Sequence, residues 1–94
     1  MVKCVVEMYG LSTELTKLQK VEIELNDGAS LRDLIAALRH KIPTLEGHVI
    51  CAGEDRLTEN HVLNINGRFY ADDAEELQLQ SSDRVALLTL AVGG

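Results

Sequence analysis

Four groups of residues in the 94-residue chain carry reactive or ligating chemistry. The first is Cys4, Cys51, His40, His48 and His61, all side chains that bind metals. His48 and Cys51 stand three residues apart, a spacing usable on a helix, but no second pair repeats it, and Cys4 falls inside an apolar strand pattern. No zinc site is expected, and two cysteines are too few for a four-cysteine iron–sulfur cluster. The second group, Asp72, Asp73, Glu75 and Glu76, reads as a solvated acidic loop able to face a basic partner. The third, Arg56, Arg68 and Arg84, is scattered along the chain and reads as solubilising charge. The fourth is the terminal pair Gly93-Gly94, whose carboxylate stands at the end of a stretch without bulky side chains. With glycine at about 7% of residues, a given pair arises by chance in about 0.5% of chains, so the pair means little by itself. No Ser/His/Asp grouping, phosphate-binding glycine loop or paired-carboxylate motif occurs at a convincing spacing.

The composition narrows the classes that could use such groups. The chain has room for one domain, residues 1–94, and 46% apolar residues supply a core without disulfides or metal. Only 3% are aromatic, so that core is built from Val, Leu, Ile and Ala. Nine basic against fifteen acidic residues give a net charge of −6, which repels a phosphate backbone and excludes nucleic acid as a partner. Cys4-Val5-Val6 and Val49-Ile50-Cys51 place both cysteines in apolar surroundings, as expected of reduced, buried thiols. No leader and no apolar run of membrane-spanning length is seen, so a soluble cytoplasmic protein is expected, with no membrane partner.

Elements able to position the terminal pair follow from periodicity. Residues 2–9 alternate, with Val2, Cys4, Val6 and Met8 on one face, and residues 20–26 repeat the pattern through Val21, Ile23 and Leu25. Residues 10–18 read as a loop between these two antiparallel strands. Asn26-Asp27-Gly28 is a turn, Ser30 an N-cap and Asp33 the other half of a capping box. Leu31, Leu34, Ile35, Leu38 and Ile42 form one helical stripe, Arg39-His40-Lys41 suits the negative helix end, and Pro43 stops it. In residues 43–61, Leu45, Val49 and Ile50 suggest a short second helix. Val62–Ile65 and Arg68–Tyr70 flank Asn66-Gly67, a type I′ hairpin signal. Arg84–Leu90 is nearly continuous apolar sequence, which predicts a strand covered on both faces, central in the sheet and beside the first. The order predicts an α+β fold: a ubiquitin-like β-grasp, with a mixed sheet of about five strands packed on one main helix.

Placed after that last strand, Gly93-Gly94 gains meaning. Met8-Tyr9-Gly10, Ser30-Leu31-Arg32-Asp33-Leu34, Ile65-Asn66-Gly67, and Asp83–Leu88 leading to Val92-Gly93-Gly94 together resemble the MoaD/ThiS family of sulfur carriers. The resemblance spans nearly the whole chain and is loosest over 43–61. Length and the last strand are more similar to MoaD, the small subunit of molybdopterin synthase, than to the shorter ThiS. Two departures stand out: Thr89-Leu90 occupies the place of a common proline pair, and Ser81-Ser82-Asp83 replaces a glycine turn.

The resemblance implies a carrier rather than an enzyme. An adenylating, ubiquitin-activating-like partner would use ATP on the Gly94 carboxylate, and a sulfur donor would convert it to a thiocarboxylate for a large synthase subunit or another acceptor enzyme. No tightly bound cofactor is implied. Gly93 and Gly94 lack Cβ atoms and can thread a narrow channel, residues 91–94 forming a flexible tail. Partners would be met through Leu88, Leu90, Ala91, Val92 and Phe69. Ordering four tail residues costs about 1–2 kcal/mol each, and burying Leu90 and Val92 returns roughly 1.5–3 kcal/mol apiece. The two nearly cancel, so affinity must come from the sheet face and the acidic surface. Carriers for cysteine, homocysteine or thiamine biosynthesis, a modifier joined to lysines, and a bare interaction module are the alternatives.

Overall fold

The first alternation becomes strand β1 (Val2–Met8), with Val2, Cys4, Val6 and Met8 buried and Lys3 and Val5 exposed. A computed structural model of the chain describes residues 1–70 and 77–89. Beyond β1 it contains α1 (Leu11–Thr16), β2 (Lys20–Leu25), α2 (Leu31–Lys41), a 3₁₀ turn (Pro43–Leu45), β3 (His61–Ile65), β4 (Arg68–Tyr70) and β5 (Arg84–Thr89). Leu90, the 91–94 tail and the acidic group Asp72, Asp73, Glu75 and Glu76 lie outside the described residues.

The sheet runs β2-β1-β5-β3-β4, with β1 and β5 parallel and the other neighbours antiparallel. Strand β5 is therefore central and beside β1, as its apolar run predicts. Its inner side chains, Val85 and Leu87, are buried against the helical layer, where Leu31, Leu34, Ile35 and Leu38 of α2 are fully buried. Its outer side chains, Ala86 and Leu88, are only half-buried. The run thus does not mark a strand covered on both faces; one face stays open.

The helix α2 starts where the sequence places it, because the capping box forms. Ser30 Oγ accepts from the Asp33 amide at 3.2 Å and the Ser30 amide donates to Asp33 Oδ2 at 3.0 Å. Ser30→Ala should cost about 1 kcal/mol and lower the melting temperature by about 4–8 °C without changing the far-UV circular dichroism. An unshifted melt would mean that water replaces the cap at no cost.

Two segments differ from expectation. Residues 11–16 form a helix rather than a loop. Ser12, Thr13 and Thr16 disfavour it locally, but their hydroxyls bond to Tyr9 O, Met8 O and Ser12 O, while Leu11 and Leu15 pack on the core. Tertiary contacts make this helix, as they do for most short ones. Conversely, Leu45, Val49 and Ile50 are all buried but form no second helix. Gly47 sits at φ 88°, which right-handed helix cannot accommodate, and Ile50 instead bridges to Glu46 and Leu57. His48 and Cys51 therefore do not share a helical face, and Cys51 is half-buried rather than buried.

Candidate functional site: the open sheet face and the end of strand β5

The face of the sheet turned away from α2 is built by strand alternation. Ladder register sets Glu22, Val5 and Arg84 side by side, then Lys20, Glu7, Ala86, Asn64 and Phe69, then Leu88 with Val62. The β2 and β1 half is charged, with Lys3 bridging to Glu22 at 3.6 Å and Arg84 to Glu7 at 3.8 Å. The β5, β3 and β4 half is largely apolar and ends at Phe69, which is 64% exposed. Val5 and Tyr9 are exposed too. The Tyr9 hydroxyl donates to Glu7 Oε2 at 2.7 Å, and that bond, with the Glu7 charge, raises the Tyr9 pKa above its ordinary value.

Two of the residues expected to meet partners, Leu88 and Phe69, do share this face, with β3 between their strands. Gly93, Gly94, Leu90, Ala91 and Val92 lie outside the described residues. The sequence reading missed Val5 and Val62 on the same face. Val5 was marked in the sequence by an apolar residue at an outward position of an alternating strand. Arg84, read as merely solubilising, is tied to Glu7.

Strand β5 reaches Thr89 at one end of this face. There its backbone pairs with His61, and Thr89 Oγ1 accepts from the Leu11 amide at 3.1 Å. A cleft of about 600 Å³ opens nearby, lined by Cys51, Arg56, Leu57, Thr58, His61 and Tyr70 among others. His61 is buried, its Nδ1 2.8 Å from Thr58 Oγ1, and burial pushes its pKa below the ordinary imidazole value. Cys51 Sγ lies 3.6 Å from the Leu57 carbonyl. The other thiol, Cys4, is fully buried, and its pKa is raised by burial first and the Asp83 charge second, which disfavours the nucleophilic thiolate. Among the described residues no three His, Cys, Asp or Glu side chains gather as metal ligands, and no helix is long and apolar enough to cross a membrane. What this arrangement offers is a half-apolar, half-charged docking face with the end of strand β5 at its edge.

Comparison with known proteins fits that arrangement. The model of the ThiS family matches residues 6–94. No curated protein sequence matches the chain. Among solved structures, SAMP1 from Haloferax volcanii is 21% identical, with 98% of this chain and 99% of that one covered and a TM-score of 0.82. A Pyrococcus furiosus protein assigned as molybdopterin converting factor subunit 1 is 24% identical over 97% of this chain and 100% of that one, with a TM-score of 0.76. A chain from the complex of subunits 1 and 2 of the Helicobacter pylori molybdopterin-converting factor is 22% identical over 99% and 100%, with a TM-score of 0.62. At such identities the structures establish the shared β-grasp fold.

Proposed function

Because the chain belongs to the ThiS family of sulfur carriers, whose members are substrates of partner enzymes rather than catalysts, we propose that it carries sulfur as a thiocarboxylate on Gly94. The observation that supports this reading is the family match running through residue 94, on a chain whose central strand leads towards that residue. In the first step a Gly94 carboxylate oxygen attacks the α-phosphorus of ATP held by an adenylating partner, and pyrophosphate leaves. Sulfide then attacks the carbonyl carbon; a C–S bond forms, the C–O bond to AMP breaks, and a thiocarboxylate remains. An enzyme persulfide would serve instead, giving an acyl disulfide that a second thiol cleaves. No side chain of this chain takes or gives a proton in either step.

The recipient best supported is the large subunit of a molybdopterin synthase, for which this chain would be the small subunit. Its support is the Helicobacter pylori assembly of two subunits, one of which this chain matches over its full length. Leu88 and Phe69 would be covered in that docking, and the charged half of the face would set the orientation. The free thiols Cys4 and Cys51 suit the reducing cytoplasm. A second reading, a modifier joined through Gly94 to lysines, is favoured by the fit to SAMP1, the small archaeal modifier protein 1.

The test is to incubate the chain with an adenylating enzyme of its host, ATP and sulfide, and to measure intact mass. Exchange of one oxygen for sulfur is expected; unchanged mass in the presence of AMP formation would sink the carrier reading. Extract probed for this chain should show free protein and no ladder of conjugates, whereas a ladder would decide for the modifier.

A further inference from the structure

Strand β1 leaves the sheet before β5 does. The last bond between them is Tyr9 N–H to Leu87 O at 3.1 Å, after which the chain turns at Gly10, φ 69° and ψ −133°, into α1. Gly10 has no side chain with which to cap that helix. The hydroxyl of Thr89 does so instead: it accepts from the Leu11 amide at 3.1 Å and donates to the Tyr9 carbonyl at 3.5 Å. The turn is closed onto it so tightly that a Cβ on Gly10 would lie 2.7 Å from Thr89 Oγ1 and 2.9 Å from Thr89 Cβ. On the other side the Thr89 backbone pairs with buried His61. Thr89 is thus gripped from both neighbouring strands, by a backbone ladder on one side and by a side-chain cap on the other, at the point where the described part of β5 ends.

We propose that Thr89 is a positioning residue for the reaction at Gly94: the clasp formed by Gly10, Leu11 and Thr89 fixes the residue of β5 that stands five positions before the reacting carboxylate. The inference rests on the role proposed above for Gly94. Five residues drawn out in a partner's channel reach about 17 Å. Held straight by such a channel, the segment would carry its carboxylate about 3 Å for a swing of about 10° at Thr89, while misplacement by about 1 Å can cost about a hundredfold in rate. Phe69, on β4, lies two strands away from β5 and makes no part of the clasp, so a partner's hold on that residue can stay while the aim at Thr89 is lost.

The experiment compares Thr89→Val, which keeps the shape and removes the hydroxyl, with Thr89→Ser, which keeps the hydroxyl, in the full chain. With ATP and sulfide present, AMP release by the adenylating enzyme gives kcat and KM for the carrier, and amide hydrogen exchange reads the clasp. Thr89→Val should lower kcat about tenfold with KM within about twofold, and the Leu11 amide alone should lose protection. Thr89→Ser should restore both. Unchanged kcat in Thr89→Val, a change confined to KM, or protection lost across β3 and β5 would each overturn the proposal, the last by making Thr89 a purely structural residue. If the unsubstituted chain releases no AMP, the reading of Gly94 itself falls; an active parent with an unaffected Thr89→Val removes only the clasp.

Discussion

Appending one alanine after Gly94 should abolish thiocarboxylate formation and leave the melting temperature unchanged. The extra residue turns the Gly94 carboxylate into an amide and moves the reactive group about 3.8 Å further along the chain. It would also bring a methyl group into the partner channel proposed for the two glycines. Since misplacement by about 1 Å can cost about a hundredfold, the combined loss should exceed that and bring turnover to background. Among the described residues the buried core runs from Val2 to Leu87, seven positions short of residue 94, so an addition beyond the tail should leave it intact. Intact mass after incubation with the adenylating enzyme, ATP and sulfide, alongside a thermal melt, checks both halves. A mass gain equal to that of the parent would show that Gly94 is not the modified position.

The largest effect on stability should come from Leu87→Ala. Leu87 is fully buried on the inner face of the central strand, between Met8 of β1 and Leu63 of β3. Removing its branched end leaves a cavity that two flanking strands cannot both close, at a cost of about 2–5 kcal/mol. Total stabilities run to about 5–15 kcal/mol, so the variant should lose a large share of its margin and melt roughly 10 °C or more lower. Leu88→Ala, one residue on and half-buried on the open face, should cost far less stability and instead weaken partner binding. Urea unfolding of the two variants tests the assignment of faces directly. Equal losses would mean that both sides of β5 are packed.

Strong local signals made part of this legible in the sequence. Ser30 with Asp33, the stripe from Leu31 to Leu38, and Pro43 carry their own start, face and stop, so α2 could be placed to within a residue. Asn66 and Gly67 both have positive φ, 54° and 90°, as the hairpin signal requires. Helix α1 was not legible, because its Ser and Thr hydroxyls find partners only after β1 is in place. The stretch around Leu45, Val49 and Ile50 showed burial but not conformation, since one residue, Gly47, decides the latter. The open face was half-legible. Phe69 and Leu88 are named from the family resemblance and Val5 is marked by its outward place on an alternating strand, whereas Val62 joins them only once the register is known. The clasp on Thr89 had no sequence signal at all, because it links residues 78 apart.

The sheet order has a consequence for how the molecule is made. Strand β5 follows the other four in sequence yet stands between β1 and β3, so two half-sheets, β1 with β2 and β3 with β4, must wait during synthesis with facing edges unpaired. Exposed edges of this kind invite pairing with other chains, and closing them requires contacts between distant residues, which is slow. Folding on the ribosome therefore cannot finish before β5 emerges, and insertion of that strand completes the core and closes the clasp at Thr89 in one event. Newly made carrier should be most prone to aggregation in the interval just before that insertion.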